Sequence, residues 1–272
     1  MAKPIIDDEL WTLIEPLLPP SKPRRKKNPG RLPVSNRAAL TGILFVLKTG
    51  LRWRYLPAEM GCGSGVTCWR RLRDWQVAGV WDRLHELLLA KAASSRPDRL
   101  LSSRCRFIID SRRWGRPKTG PNPTDRARPG SKHHIVTDAN GTPLAAILTG
   151  ANVNDVTQLL PLIDAIPPIR GLRGHPLHRP RVVYADRGYD SERHRRALRN
   201  RGIEPVIAKR RTEHGSGLGK YRWVVERTHA WLHPFRRLRI RFERRADIHG
   251  AFLKLGCCLI CWNTLRRAEQ PL

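Results

Sequence analysis

The sequence predicts an α/β chain in two parts: a small all-α block over residues 1–93, then a mixed sheet flanked by helices over residues 104–272. Three observations predict it. As far as Ala93 the apolar residues recur at helical spacing between caps and turn signals. After a polar connector, SSRPDRLLSSR, short β-prone runs alternate with helical segments. Two of those runs, RFIID and VVYAD, end on an acidic residue, Asp110 and Asp186.

In the first part, Asp7 or Asp8 can cap a helix whose apolar positions Leu10, Leu13, Ile14, Leu17 and Leu18 share one face, stopped by Pro19 and Pro20. SKPRRKKNPGRLP follows, a basic, proline-containing linker with nothing to bury and the chemistry to lie along phosphates. Ser35 caps a second helix through Ala39, Leu40, Ile43, Leu44 and Leu47, closed by Gly50. A third helix, VTCWRRLRDWQVAG, turns Trp69, Leu72 and Trp75 inward and Arg70, Arg71 and Arg73 outward. A fourth, VWDRLHELLLAKAA, closes the block. Short helices joined by tight turns, one with an arginine face, predict a helix-turn-helix-like unit; a helical bundle with a solvated basic face is the plainer alternative.

In the second part RFIID reads as a strand, and SKHHIVTDANGTPLAAILTG as a hairpin turning at Asn140-Gly141. Asp155 caps the helix VTQLLPLIDAI. The strand VVYAD, a helix ERHRRALRNRG capped by Asp190 or Ser191, and the strand EPVIAKR come next. Two helices close the chain, from about Gly219 and about Asp247. The order β, hairpin, α, β, α, β, α, α, with acids ending two strands, is the ribonuclease-H-like arrangement.

Composition points to the partner. Lys and Arg total 52 against 23 Asp and Glu, a net charge of +29, which makes nucleic acid the expected ligand. Basic proteins of the ribosomal type are usually shorter and poorer in Trp than this chain of 272 residues with 9 Trp. Cys62, Cys68, Cys105, Cys257, Cys258 and Cys261 are irregularly spaced; the one C-x-x-C has no second pair, so buried thiols are expected rather than zinc. The start, MAKPIIDDELW, lacks the apolar core of a signal peptide, and no apolar stretch is expected to reach the roughly 18 residues of a membrane span. A reduced, cytoplasmic protein is the expectation.

The candidate chemistry lies in Asp110, Asp186 and Glu226. Strand ends are where α/β sheets place ligand-binding residues. If the two strands are neighbours, their carboxylates converge on divalent cations of the Mg2+ or Mn2+ kind, which prefer hard oxygen ligands and act on phosphodiesters in pairs. Glu226 lies in KYRWVVERTHAWLHPFRRL, where Arg222, Glu226, His229 and His233 fall in a narrow arc at about 100° per residue while Trp223, Val224, Val225, Ala230, Trp231 and Leu232 are apolar. A polar stripe on a mostly apolar helix predicts the lining of a site, because unpaired buried charge is costly. The other carboxylates have simpler roles: Asp138 in the hairpin turn, Asp155 and Asp190 as caps, Asp125 in a loop.

At this point the chain resembles a known family. ELWTLIEPLLPP, AALTGILFVLKTGLRWRYLP, PTDRARPGSKHH, LTGANVNDVTQLLPLIDAIPPIRG, ADRGYDS and HGSGLGKYRWVVERTHAWLHPFRRLRIRFERRADIH are similar to bacterial insertion-sequence transposases of the DDE superfamily, insertion-sequence-five group, from about Asp8 to Trp262. The resemblance implies that Asp110, Asp186 and Glu226 form the DDE triad and that Arg222 is the arginine of an R-x-x-x-E signature. It implies hydrolysis at the element ends, then in-line attack of each freed 3′-OH on target DNA. Double-stranded DNA, as terminal inverted repeats and as target, would be the partner, and a dimer on DNA the working form. His233 stands where the wider family carries lysine, Gly219 where it carries tyrosine, and the segment DSRRWGRPKTGP after Asp110 is shorter than in similar proteins.

Two rival classes are a metal-dependent nuclease of the same fold and a transposase-derived DNA-binding protein without activity. Retention of all three carboxylates disfavours the second. The N-terminal block disfavours the first, since a general nuclease needs no end recognition.

The expected DNA contacts are Lys22, Arg24, Arg25, Lys26 and Lys27 of the linker, Arg70, Arg71 and Arg73 of the third helix, and Arg222 and His233 beside the triad. Because each neutralised phosphate releases counterions, affinity for element-end DNA should fall about a thousandfold between 50 and 200 mM salt if six phosphates are engaged. Fluorescence anisotropy over that range checks this, and a flat response would remove these contacts.

Overall fold

A computed structural model describes residues 4–20, 26–28, 30, 32–95, 102–111, 117–123, 126–171, 176–177, 179–211 and 219–269, giving the backbone alone at 95, 102–111, 219–222 and 269. Lys22, Arg24, Arg25 and Asp125 lie outside the described residues, as do the side chains of Cys105, Asp110 and Arg222.

Helix α1, Asp8–Ile14, is capped by Asp7, whose carboxylate accepts from the Leu10 N–H at 2.8 Å. It ends earlier than the periodicity suggests: Pro16 lies within a tighter 3-10 turn, Glu15–Leu17, that finishes the segment. Helix α2, Asn36–Thr49, has the expected Ser35 cap and ends at Gly50, whose φ of +72° is the left-handed conformation that favours glycine. Helix α3, Gly65–Val77, is capped by Ser64, and α4 covers Val80–Ser95. The expectation of tight turns throughout is met only between α3 and α4. The link from α2 to α3 is residues 50–64, folded into two 3-10 turns, Trp53–Tyr55 and Ala58–Met60. Within α2, Gly42 allows the close approach of α3: a Cβ there would stand 2.8 Å from the Cys68 Sγ.

The second part supplies strands β1 (Ser102–Ser111), β2 (Gly120–Pro121), β3 (Pro129–Thr137), β4 (Pro143–Gly150), β5 (Val182–Ala185) and β6 (Glu204–Ile207). Its helices are α5 (Leu159–Asp164), α6 (Glu192–Arg199), α7 (Gly219–Leu232), α8 (Arg236–Arg239) and α9 (Ala246–Glu269). The main sheet order is β4-β3-β1-β5-β6, with the short β2 also on β3. Strands β4, β3 and β1 are antiparallel, whereas β5 and β6 run parallel to β1. The chain is therefore mixed α/β with a helical N-terminal region, in the element order read from sequence with the short β2 and α8 added.

The hairpin forms where Asn140-Gly141 places it. Asp138 closes the turn, accepting from the N–H groups of Asn140 at 2.8 Å and Thr142 at 2.7 Å, and Gly141 takes φ +85°. Strand β3 is buried on both faces, so Ser131, Lys132, His133 and His134 all lie inside. Burial, with Arg241 nearby, pushes the His133 imidazole down to about 4, and burial with Lys132 pushes His134 to about 3. Both are neutral near pH 7. The His133 and His249 Nε2 atoms meet at 2.9 Å and His134 Nε2 meets Thr149 Oγ1 at 2.7 Å, which satisfies polar groups that would be costly bare.

Helix α9 is the centre of the molecule, in contact with α3, α4, α7, α8 and β4. Its Cys257, Cys258 and Cys261 are buried free thiols, as are Cys62 and Cys68. Burial pushes the Cys257 thiol up to about 12, so these cysteines behave as small hydrophobes. The expectation that no stretch is long and apolar enough for a membrane span is corrected here. Ala246–Ala268 meets that length and composition, yet 72% of its most apolar window is buried within the protein, the state of a core helix.

The N-terminal helices are tied to this centre. The Trp53 ring stacks on Phe252 at 5.8 Å, and its indole N–H donates to Glu243 at 3.1 Å. Near the C-terminal end of α9, Trp262 and Arg266 both donate to Asp7 Oδ2 at 3.0 Å. Phe252 is fully buried, so Phe252→Ala should destabilise the fold by about 3–5 kcal/mol, the range for emptying an aromatic core site. Urea unfolding measures this; a loss under about 1 kcal/mol would mean that the site collapses or that α9 is not central.

Candidate active site

The two acidic strands are neighbours, as the sequence reading required: β1 pairs with β5 in parallel, Arg104 opposite Tyr184. Asp110 stands near the end of β1, opposite Ser131 of β3. Arg241 donates to the Ser131 hydroxyl at 2.7 Å, and that hydroxyl donates to the Lys118 carbonyl at 2.8 Å. Asp186 follows the last residue of β5. Extending the β1–β5 pairing by two residues sets Asp186 level with Arg106, so Asp110 lies four residues further along β1, about 13 Å of strand.

Asp186 caps a 3-10 turn, Arg187–Tyr189, its Oδ1 accepting from the Gly188 N–H at 2.8 Å. The turn is anchored by the fully buried Tyr189 and braced by Arg210, which donates to the carbonyls of Arg187 at 3.0 Å and Gly188 at 3.1 Å. The Arg210 backbone N–H closes on Asp190 Oδ2 at 2.6 Å, while Arg195 donates to Asp190 Oδ1 at 2.7 Å. Asp190 is thus no helix cap. It joins β6's following loop to the residues after Asp186, and Ser191 occupies the cap position without a side-chain bond. Asp155 is likewise not a cap. Asn154 accepts from the Val156 N–H, and Asp155 instead pairs with Lys132 at 2.6 Å.

Glu226 is exposed on α7, which lies against β1, β3 and α9. The helix is held by the hairpin turn: Thr228 Oγ1 donates to the Gly141 carbonyl at 2.7 Å, and Arg227 donates to the Asn140 carbonyl. A Cβ at Gly141 would meet Thr228 Oγ1 at 2.8 Å, so the turn needs glycine for this contact as well as for its φ. The polar stripe is partly corrected. Glu226 and His233 are exposed, but His229 is buried at the margin of a face made by Val224, Val225, Thr228 and Leu232. Trp223 and Ala230, read as interior, are exposed; Arg227 lies between the Trp223 and Trp231 rings, 4.5 and 4.9 Å from their centroids.

Of the expected DNA contacts, Lys26, Lys27 and Arg70 are exposed and Arg71 half-buried. Arg73 is paired with Asp74 at 2.7 Å and rests over the Trp69 ring. Among the described residues no three His, Cys, Asp or Glu side chains form a metal-sized cluster. Sequence reasoning missed Arg210 and the Lys132–Asp155 pair; the only sequence signal for either was a charged residue inside a β-prone or loop segment, which fits a solvated role equally well.

The sequence has matches among known protein families. The family described as "Transposase DDE domain" matches residues 101–263, and the family described as "Putative transposase of IS4/5 family" matches residues 6–85. The chain belongs to the DDE-domain transposases. It is 95% identical over 182 residues, 67% of this chain and 86% of the relative, to the "Putative transposase for insertion sequence element IS402" of Burkholderia cepacia. It is 96% identical over 91 residues to a 16.2 kDa protein of the same element, covering 34% of this chain and 62% of that protein. A transposase for insertion sequence element IS1106 of Neisseria meningitidis serogroup B is 30% identical over 153 residues, 52% of this chain and 49% of the relative. Among solved structures, the Mos1 strand transfer complex aligns over 92% of this chain and 79% of its own at 13% identity, with a TM-score of 0.33.

The Asp190 hub gives a pH test. The Arg210 N–H and then the Arg195 guanidinium hold the Asp190 carboxyl below its ordinary value of 3.8. A depressed carboxyl stabilises the fold above that ordinary value and releases the stability as pH falls through the folded value. Asp190→Asn should therefore lower the Tm at pH 7, and its gap to the parent should close as the pH drops below 3.8. A gap independent of pH in thermal melts would remove the charge from the explanation.

Proposed function

We propose that this transposase cleaves the phosphodiester at insertion-element ends and joins the freed 3′-OH to target DNA, with Asp110, Asp186 and Glu226 as its catalytic carboxylates. One observation carries the reading: Asp110 and Asp186 are borne by adjacent parallel strands, and the helix bearing Glu226 packs on the first of them. The sheet order β4-β3-β1-β5-β6, three antiparallel strands followed by two parallel to β1, supports a ribonuclease-H-like catalytic unit over residues 104–272. The helical block over residues 1–93 serves end recognition, and two copies act together on DNA in the bacterial cytoplasm.

The donor chemistry, though not the about 13 Å of strand between Asp110 and the level of Asp186, fits Mg2+ or Mn2+. All three residues offer carboxylate oxygens, the ligands such hard cations prefer. Asp186 uses Oδ1 for its own turn, which leaves Oδ2 to bind, and Glu226 is open to solvent. When bound, divalent cations supply Lewis-acid activation and neutralise charge developing on the phosphodiester. The protein's part is positioning: Arg210 and Tyr189 fix the Asp186 turn, and the hairpin fixes α7. Arg222 and His233, one turn before and two turns after Glu226, are assigned to the DNA strand near the carboxylates. A planar guanidinium grips phosphate through two hydrogen bonds.

The test is a strand-transfer assay with labelled element ends. Asp110→Ala, Asp186→Ala and Glu226→Ala should each abolish cleavage while end binding stays within a few fold, because these carboxylates act on the chemical step. Joined products identify the transposase. Cleavage without joining would identify a nuclease, and binding without either a DNA-binding protein; both outcomes overturn the reading.

A further inference from the structure

The turn that carries Asp186 is braced by Arg210, and a second turn, Asp155–Gln158 at the start of the α5 segment, meets it as well. That second turn is locked to the sheet by a buried ion pair. Lys132, in the middle of β3 with its side chain 5% exposed, donates to Asp155 Oδ1 at 2.6 Å and to the Val153 carbonyl at 3.0 Å. Asn154 already caps the segment, so Asp155 is spare for that purpose. Stability alone is also a poor reason for the pair, because replacing a buried ion pair by neutral groups is often harmless or favourable. What distinguishes Asp155 is its neighbour. Its turn packs against the Arg187–Tyr189 turn, which Asp186 caps. A second carboxylate, immobilised by a lysine, thus stands beside the turn whose carboxylate is assigned to cation binding.

We infer that Lys132 and Asp155 are positioning residues for Asp186: their ion pair pins the Asp155–Gln158 turn against the Arg187–Tyr189 turn and so fixes where the Asp186 carboxylate stands. The inference rests on the reading of Asp186 as a cation ligand. Two charged residues far apart in sequence, one in SKHH and the other in ANVND, are thereby joined to the site without touching the reacting DNA. Outer residues that orient a ligand carboxylate commonly alter cation affinity by 10–100-fold, roughly, when lost.

The experiment uses the full chain, with Mn2+ binding followed by titration calorimetry, Tm by thermal melting, and kcat and KM for end cleavage. Asp155→Ala should weaken Mn2+ binding about tenfold and lower kcat, with KM for end DNA unchanged. Asp155→Asn keeps an oxygen for the Lys132 ammonium and should recover most of the affinity. The double variant Lys132→Met with Asp155→Asn leaves no lone buried charge, so it should melt near the parent yet still bind Mn2+ weakly. Asp186→Ala is the control. If it abolishes Mn2+ binding while Asp155→Ala and the double variant bind as the parent does, the inference is overturned and the site reading stands. If Asp186→Ala leaves Mn2+ binding unchanged, the site reading falls and the inference with it.

Discussion

A helix that is apolar on every side has to be covered on every side, and α9 imposes that condition on the whole chain. Its neighbours come from both parts: α3 and α4 from the N-terminal block, α7, α8 and β4 from the second part. The buried core accordingly runs without a break from Leu10 and Ile43 through Trp81 and Phe252 to Ile135 and Val183. Hydrophobic burial supplies most of the driving force for folding, so joining two moderate cores into one raises the buried fraction of each. Polar ties such as Asp7 with Trp262 and Arg266, or Trp53 with Glu243, fix the angles at which the covering elements arrive.

The candidate site sits at the outer margin of this core, where positions depend on loops more than on packing. Asp186 and Glu226 are each placed by backbone carbonyls that a neighbouring side chain grips. Arg210 holds the carbonyls after Asp186, and Thr228 with Arg227 holds those of the hairpin turn beneath α7. Backbone atoms move less than long side chains, so anchoring through them gives a more rigid placement than side-chain pairing would. An exposed ion pair, by contrast, adds little fixity. Asp186 and Glu226 are thereby held from the protein side, and Glu226 is left open to solvent.

Local chemistry was legible in the sequence, and long-range choice was not. Ser35 with Gly50, Asn140-Gly141 and the strand ends at Asp110 and Asp186 were readable because a few adjacent residues decide them. The cap read at Asp155 falls instead to Asn154, because Asp155 pairs with Lys132, a residue of another element that no local pattern connects to it. The stripe on α7 failed at His229 for a similar reason. A helical period gives angles between residues but not which arc the sheet will cover. Nor could the letters SKHH reveal a strand buried on both faces, since that follows only when β1 and β4 flank β3 and α9 supplies His249.

The central position of α9 has a consequence for how the molecule comes into being. The helix occupies residues 246–269, so on a ribosome it emerges after every element that it will hold together. Until then the N-terminal helices and the sheet expose the apolar surfaces meant for it, and the usual order of folding, earlier segments first, cannot be completed. Its contacts with α3 and α4 span most of the chain, and such distant closures are slow. Nascent chains should accordingly linger in a form that chaperones can bind, and a chain interrupted before α9 would lack the part that makes the others cohere.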